Sequence, residues 1–343
     1  MNLKRVCSRV LCAAGLILSM QGFAVETVAP VQPDKTLDIY ATPARLVDIG
    51  GRKLNLRCSG TGTQTVMLEA GAIADSMTWF KVQPQLAKTT TVCSYDRAGL
   101  GFSDEGPLPR DLDAEAGDLH ALIHAAGIKT PVVLVAHSRG TNIARRYADK
   151  YRADLAALVL LDPPAQNIAA FAPEFAKADD AGRAQAIAFM RQCAKGAEAG
   201  KLGAPTQELQ RCLRGPDPAL SQALNDAQRA NKSRPAFWHT IISTYETNAL
   251  YDAPVPADEK HGTLPIIVLR PDSTEADAPQ EVRKALQAAR DKTQQAIVAT
   301  STRGKRIDVA HSSHDVQTDR PDAVIAAVNE VVRPSGASAS AKH

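Results

Sequence analysis

The chain has 343 residues, of which 44% are hydrophobic and 22% are charged, and its formal net charge is +3. These proportions are ordinary for a globular protein. They argue against a disordered chain, a collagen-like fibre and a protein with many membrane spans. The length allows one large domain or two small ones. The near balance of acidic and basic residues gives no indication of a nucleic-acid partner.

The first 24 residues have the three parts of a secretory signal peptide. A basic stretch (1–9) precedes an apolar run (10–20), and small residues end at Ala24, the predicted cleavage point. The apolar run is too short to span a bilayer comfortably, so we expect no stable membrane anchor. Cleavage would remove three basic residues and leave 37 acidic residues unchanged, so the mature chain would be about neutral. We therefore predict export to the periplasm or the medium.

Segments typical of strands and helices alternate along the rest of the chain. Residues 25–42 are rich in Pro, Val and Thr, which predicts an extended lead-in. Apolar or alternating patterns predict strands at 53–58, 65–71, 90–96, 131–136, 155–162, 264–269 and 305–310. Helices are predicted at 111–128, 142–151 and 320–332. This alternation favours an α/β domain with a mostly parallel sheet.

Residues 166–262 interrupt the alternation. They are rich in Ala, Gln, Arg and Lys, have helix-like composition and contain no clear strand. We predict a helical cap insertion between the strand ending at Asp162 and the strand beginning at Leu264. The core would then comprise residues 25–165 and 263–334, followed by a flexible tail at 335–343.

Ser138 is the candidate nucleophile. It follows a predicted buried strand and precedes a predicted helix, with the small residues Ala136 and Gly140 on either side. Small residues permit the tight turn of a nucleophile elbow, which lifts the serine hydroxyl to the N-terminus of the helix. There the backbone N–H groups favour a developing anion. A serine that only caps the helix is the alternative.

His314 is the candidate general base, because a serine hydroxyl is a weak nucleophile without one. His311 and His314 follow the last predicted strand and precede the last helix, so their loop can return to the carboxyl ends of the strands. An ordinary polar loop residue and a metal site shared with His311 are the alternatives. No third ligand is in view and no Cys-x-x-Cys occurs, so we expect neither a metal nor a cofactor.

Four motifs in this order resemble those of the α/β-hydrolase fold family: LEAG (68–71), YDRAGLGFSD (95–104), LVAHSRG (134–140) and SHDVQTDRP (313–321). The resemblance extends over nearly the whole mature chain. It implies a mostly parallel α/β-hydrolase sheet flanked by helices, a Ser-His-acid triad, and an oxyanion hole formed by the N–H groups of Ala72 and Arg139. The family's usual His-Gly before the oxyanion loop is Ala70-Gly71 here, so a side chain that often braces this loop is missing.

The resemblance places the acid of the triad after either of two strands. Asp162 ends the strand at 155–162, whereas Asp272 follows the strand at 264–269 in a polar stretch that fits the family pattern poorly. We expect Asp162 to be the acid, with Asp272 as the main alternative and Glu275 or Asp277 as further ones. A residue that only caps the turn into the insertion is the alternative role for Asp162.

The four cysteines of the mature chain predict disulfides, because even numbers of cysteines in exported proteins usually form them. The fold implied by the resemblance brings together two sheet strands that carry Cys58 and Cys93. It places Cys193 and Cys212 together in the insertion. We therefore predict the pairs Cys58–Cys93 and Cys193–Cys212.

The expected function is that of a secreted or periplasmic serine hydrolase, with a small-molecule carboxylic ester as substrate and an acyl-enzyme as intermediate. Amidase, peptidase, lactonase and thioesterase activities stay open, because the same triad serves them all. Dehalogenases and epoxide hydrolases that resemble this fold have Asp at the nucleophile position, which disfavours those activities. A non-catalytic binding module is the alternative from another class. The sequence gives no oligomeric state.

Overall fold

The computed structural model of the protein describes residues 32–247, 254–276 and 278–332. The predicted signal peptide (1–24) and tail (335–343) lie outside the described residues, as does Asp277. No helix within these three ranges combines the length and apolar character needed to cross a membrane.

An eight-stranded sheet forms the centre of the molecule. Its strands are β1 (Arg45–Asp48), β2 (Lys53–Ser59), β3 (Thr65–Glu69), β4 (Thr91–Tyr95), β5 (Val132–His137), β6 (Leu155–Leu161), β7 (Ile266–Pro271) and β8 (Gly304–Val309). The spatial order is β1-β2-β4-β3-β5-β6-β7-β8. β2 runs antiparallel to β1 and β4, and all the other neighbours are parallel. The predicted mostly parallel sheet is confirmed.

Helices cover both faces of the sheet. They are α1 (Gln83–Leu86), α2 (Leu112–Ala125), α3 (Gly140–Lys150), α4 (Pro173–Glu198), α5 (Gln222–Lys232), α6 (Pro235–Glu246), α7 (Gln280–Ala299), α8 (Val316–Asp319) and α9 (Pro321–Val331). One hydrophobic cluster joins one face of the sheet to α2, α3 and α7, and another joins the opposite face to α8 and α9. All six residues of β5 are buried, as expected for a strand covered on both sides.

β1 and α7 are among the elements that the sequence patterns do not predict, and one expectation is wrong. β1 has four residues and buries only Val47, so it shows no clear alternation. The buried face of α7 includes Thr293 and Gln294, which weakens its apolar periodicity. The predicted extended lead-in instead contains a 3-10 helix at Lys35–Ala41, which buries Leu37 and Tyr40 and begins after an N-cap at Asp34.

The described part of the chain between β6 and β7 contains α4, α5 and α6. Phe237, Trp238 and Ile241 of α6 are buried in a cluster with Leu100 of the core. These side chains therefore dock α6 on the loop after β4. The extent of a separate cap over residues 166–262 stays a prediction.

The structure confirms both predicted disulfides, Cys58–Cys93 and Cys193–Cys212. Cys58 of β2 lies directly opposite Cys93 of β4 in the antiparallel register. The second disulfide joins the C-terminal half of α4 to a 3-10 turn at Leu209–Cys212. One bond therefore ties neighbouring strands, and the other ties the segment that docks through α6.

Candidate active site

Ser138 lies in a tight turn between β5 and α3. β5 ends at His137, α3 begins at Gly140, and Ser138 between them has a φ of 52°, in the left-handed region. A side chain at Gly140 would place its Cβ 2.5 Å from the carbonyl oxygen of Ala70, so a glycine is needed for α3 to approach the end of β3. The N–H of Ser138 donates to the carbonyl of Leu161 at 2.9 Å, which fixes the turn to β6.

His314, in the loop between β8 and α8, joins two of the other predicted site residues. Its Nε2 lies 2.8 Å from the Oγ of Ser138, and its Nδ1 lies 2.7 Å from Oδ2 of Asp162. Because a carboxylate only accepts hydrogen bonds, Nδ1 carries the proton and Nε2 is free to accept one from the serine. The imidazole side chain of His314 is 36% exposed, so the contact between His314 and Ser138 can be reached from solvent.

Asp162 follows β6 and is fully buried. Four side chains donate to its carboxylate: His314 (2.7 Å) and Thr274 (2.7 Å) to Oδ2, and Arg290 (2.8 Å) and Gln294 (3.1 Å) to Oδ1. Burial alone would raise the pKa of Asp162. The hydrogen bond from His314 and the positive charge of Arg290 outweigh that effect and lower this pKa below its ordinary value. The result is a fixed, ionised acceptor for the imidazole.

Asp272, the main alternative acid, also touches the histidine loop, but through the backbone. Its carboxylate accepts from the N–H groups of His311 (3.0 Å) and Ser312 (3.2 Å). The hydroxyl of Ser273 and these two N–H groups lower the pKa of Asp272 to about 2. The carboxylate that contacts the ring of His314 is that of Asp162.

Glu275, a further alternative, supports Asp162 from behind. It accepts from Nε and Nη2 of Arg290, at 2.9 and 2.5 Å, and Nη1 of the same guanidinium donates to Asp162. Glu275 thus orients the arginine rather than the histidine. Asp277, the last alternative, lies outside the described residues.

The loop after β3 passes directly beside the serine. A Cβ at Gly71 would lie 3.5 Å from the Cβ of Ser138 and 3.1 Å from Nδ1 of His137, so there is little space for a side chain at this point. Ala72 follows on this loop, and Arg139 begins the turn into α3. In the described part of the chain, the N–H groups of Ala72 and Arg139 donate to no protein acceptor. Both remain available to a ligand.

Arg97 holds the loop after β3 through its backbone carbonyls, a role that the sequence motifs did not reveal. Its guanidinium donates to three successive carbonyls, those of Ala70 (2.7 Å), Gly71 and Ala72 (2.7 Å). It also pairs with buried Glu69 at 2.5 Å. The brace that is missing at position 70 is therefore supplied by the arginine of the YDRAGLG motif. One signal for this role was available in the sequence. Arg97 follows β4 closely, and the parallel strands β3 and β4 end at the same edge of the sheet.

A second buried acid extends this network to the elbow. Glu115 of α2 pairs with Arg139 and lies 3.7 Å from Nε of Arg97. The Tyr95 hydroxyl donates to Glu69 on the other side. The pKa of Arg97 is raised, because the charges of Glu69 and Glu115 outweigh the effect of burial. Arg97 is therefore a permanent cation between two acids.

His137 is a further residue to which the sequence assigned no role. Its Nε2 donates to the backbone carbonyl of His314 at 2.9 Å, and the two rings lie 4.6 Å apart. Burial, and then the nearby charge of His314, lower the pKa of His137 to about 4. At neutral pH His137 is therefore uncharged. It holds the backbone of His314 in place without adding a positive charge beside the His314 ring.

The model of the alpha/beta hydrolase family matches residues 66–327. The chain belongs to this family. Among curated proteins, the uncharacterised protein YqjL of Bacillus subtilis is 34% identical over 112 residues, which is 33% of this chain and 44% of YqjL. The match thus spans less than half of that relative.

Solved structures agree with the expected fold. A structure of Est816, titled an N-acyl homoserine lactone degrading enzyme, has a TM-score of 0.58 at 16% identity and covers 84% of this chain and 100% of its own. The epoxide hydrolase CorEH has a TM-score of 0.57 at 20% identity and covers 84% and 96%. At these identities the likeness shows the fold alone. The family match indicates a hydrolase.

Proposed function

We propose that this protein is a serine hydrolase that cleaves carboxylic esters through an acyl-enzyme. The observation that carries the proposal is the pair of hydrogen bonds around His314, 2.8 Å to the Oγ of Ser138 and 2.7 Å to Asp162. A nucleophile in contact with a base, and a base oriented by a third group, is the arrangement that makes a serine reactive.

Each residue has one role in the proposed reaction. The Oγ of Ser138 attacks the ester carbonyl while Nε2 of His314 takes the hydroxyl proton, and Asp162 stabilises the resulting imidazolium through Nδ1–H. The N–H groups of Ala72 and Arg139 bind the oxyanion of the tetrahedral intermediate, an effect worth about 3–4 kcal/mol per donor. His314 then protonates the leaving alcohol, and water releases the acid by the reverse sequence.

Arg97 has a supporting role in this proposal. An oxyanion hole works only if its donors are fixed before the charge develops. The three carbonyls that Arg97 binds belong to the peptide unit that contains the Ala72 N–H and to the units before and after it. This contact fixes the orientation of that N–H group, so we assign Arg97 as a positioning residue.

The serine at position 138 favours acyl transfer over the other chemistries of the fold. Dehalogenases and epoxide hydrolases of this fold that resemble this chain have Asp at the nucleophile position, where this chain has Ser138. Amides, lactones and thioesters are second candidates, because the same three side chains could cleave them. Esters have a better leaving group than amides and are the first substrates to test.

Export is the second part of the proposal. Two disulfides are compatible with an oxidising compartment, because the cytosol keeps most thiols reduced. The signal-like pattern at 1–24 supports the same location, the periplasm or the medium. Fractionation of expressing cells, with detection of a chain that begins after Ala24, tests this point separately from activity.

A serine-directed fluorophosphonate probe and a panel of nitrophenyl esters of graded chain length test the function. We expect Ser138→Ala to abolish labelling and to lower kcat by about a million-fold, since loss of the nucleophile removes the acyl route. Ser233→Ala, at the end of α5, is the matched control and should label and turn over normally. A wild-type protein that is folded but is neither labelled nor active on any ester would support the binding-module alternative.

A further inference from the structure

Three side chains converge on one point at the amino-terminal edge of the sheet. His120 and His124 are four residues apart on α2, so they project from the same helix face. Asp154 lies in the 3-10 turn Arg152–Asp154 that leads into β6. Its Oδ2 is 2.9 Å from Nδ1 of His120 and 3.2 Å from Nε2 of His124.

This cluster is separate from the proposed triad. Asp154 precedes β6, whereas Asp162 follows it, so the two carboxylates lie at opposite ends of the same strand. None of the roles assigned above to Ser138, His314 or Arg97 involves it. The cluster therefore needs an explanation of its own.

Neighbouring aromatic residues hold two of the three side chains in place. The ring of Tyr151 stacks on that of His120, with centroids 3.9 Å apart and an interplanar angle of 5°. The hydroxyl of Tyr147 donates to Oδ2 of Asp154 at 2.9 Å. Proteins usually orient a metal-binding carboxylate by a hydrogen bond from a neighbouring side chain that does not itself bind the metal. The side chain of His124 is 51% exposed, which leaves the cluster open on one side.

We propose that His120, His124 and Asp154 form a binding site for a divalent transition-metal cation, with Zn²⁺ as the reference ion. Two imidazole nitrogens and one carboxylate oxygen are ligands that Zn²⁺, Ni²⁺ and Cu²⁺ accept, whereas Ca²⁺ and Mg²⁺ prefer oxygen alone.

The distances suit such an ion. Bonds of about 2.0–2.2 Å in a tetrahedral site place ligand atoms roughly 3.3 Å apart. The two nitrogen–oxygen separations are already 2.9 and 3.2 Å, and all three ligand atoms lie within 4.8 Å of one another. Small changes in the side-chain torsions would admit the ion. Three protein ligands leave the fourth position to water or to an added group.

The bound ion would cross-link α2 to the turn before β6. A ligand that binds the folded chain and not the unfolded one raises stability in proportion to the logarithm of its concentration over Kd. The site should therefore act as a removable staple between two elements. It lies at the opposite edge from the proposed catalytic groups and should leave their chemistry unchanged.

Calorimetric titration of the EDTA-treated, dialysed full chain with ZnCl₂ tests the proposal. We expect one equivalent of Zn²⁺ to bind with a Kd in the micromolar range and CaCl₂ to give no heat. His124→Gln and Asp154→Asn should each weaken zinc binding by more than about a hundredfold, since even residues that only support a ligand contribute 10–100-fold. At a hundredfold excess over Kd, zinc should raise the Tm of the wild type by roughly 3–8 °C and that of the variants much less.

His239→Gln is the matched control, because His239 also contacts two carboxylates, Glu105 at 2.7 Å and Glu198 at 2.9 Å. It should bind zinc like the wild type. An equal Tm of wild type and His124→Gln in EDTA establishes that the variant is folded, and Asp154→Asn gives a second route to the same result. The proposal is overturned if the wild type takes up no zinc, if both ligand variants bind it as tightly as the wild type, or if His239→Gln is the variant that loses it.

Discussion

Two equally buried acids lie at the ends of the strands on either side of β5, and they differ in their hydrogen-bond partners. Glu69 ends β3 and Asp162 follows β6, and neither is exposed to solvent. Glu69 pairs with Arg97, whose Nη1 and Nη2 groups also donate to the carbonyls of the loop beside the serine. Asp162 accepts directly from the ring of His314. One flank of the elbow, at β3, therefore holds the loop beside the serine, and the other flank, at β6, holds the imidazole of His314.

The difference shows that burial alone does not define the role of an acid. Both carboxylates are paired, as buried charges must be. Asp162 has four donors from separate side chains and faces a half-exposed imidazole, whereas Glu69 faces a buried arginine and a buried tyrosine. In the proposed reaction, the partner decides whether the charge acts directly on His314 or only on the loop beside Ser138. The following predictions test this division, from the largest expected effect to the smallest.

The β6 flank should carry the greater part of the rate. We expect Asp162→Asn to lower kcat by about 10⁴-fold with the fold intact, because an amide at this position no longer imposes the tautomer that leaves Nε2 of His314 free. Steady-state kinetics on the best ester of the panel, with Tm as the check on folding, measure this effect. A variant that loses stability but keeps its rate would make Asp162 a turn residue.

The β3 flank should contribute less. We expect Arg97→Lys to lower kcat by roughly 10²-fold with little change in KM, because a lysine keeps the charge beside Glu69 but cannot span three carbonyls. The affinity for a boronic acid that mimics the tetrahedral intermediate should fall in parallel with kcat. If kcat and boronate affinity stay at the wild-type level in a stable Arg97→Lys protein, the loop is held without this arginine.

The pH profile should reveal one titrating group of the triad. The pKa of Asp162 is lowered and that of His137 is about 4, so neither changes charge between about pH 5 and 9. The base has to be neutral to accept the Ser138 proton. The proposed mechanism needs one neutral base, so we expect kcat/KM to fall tenfold per pH unit on the acid side of the profile. A flat profile over this range would argue against a histidine base.

The smallest effect is expected at the neighbouring strand end. Asp272→Asn replaces one of the two oxygens that accept from the N–H groups of His311 and Ser312 by an NH2 group, which cannot accept. It leaves the ring contact of His314 with Asp162 in place. We expect kcat to decrease by less than about tenfold, since only the backbone of the loop is loosened. An Asp272→Asn enzyme more crippled than Asp162→Asn would reverse the assignment of the acid.

Local features made much of this protein predictable. The unbroken apolar runs of β5 and β6 are stable only when covered on both faces, and the small residues at 136 and 140 permit one kind of turn after β5. The positions of Ser138 and of the histidine loop follow from these patterns, as does the parallel sheet. The catalytic roles of these residues, and the ester as substrate, stay predictions.

Tertiary structure decided which acid meets the histidine. Asp162 and His314 are 152 residues apart in the chain, and both Asp162 and Asp272 follow neighbouring parallel strands. Sequence patterns favoured Asp162 but left Asp272 open, because the choice depends on which carboxylate faces the ring and which faces the backbone. The roles of Arg97 and His137 also depend on contacts that the sequence patterns did not reveal. A local pattern records which residues can be buried or can turn, whereas contacts between distant strand ends depend on how the whole sheet is ordered.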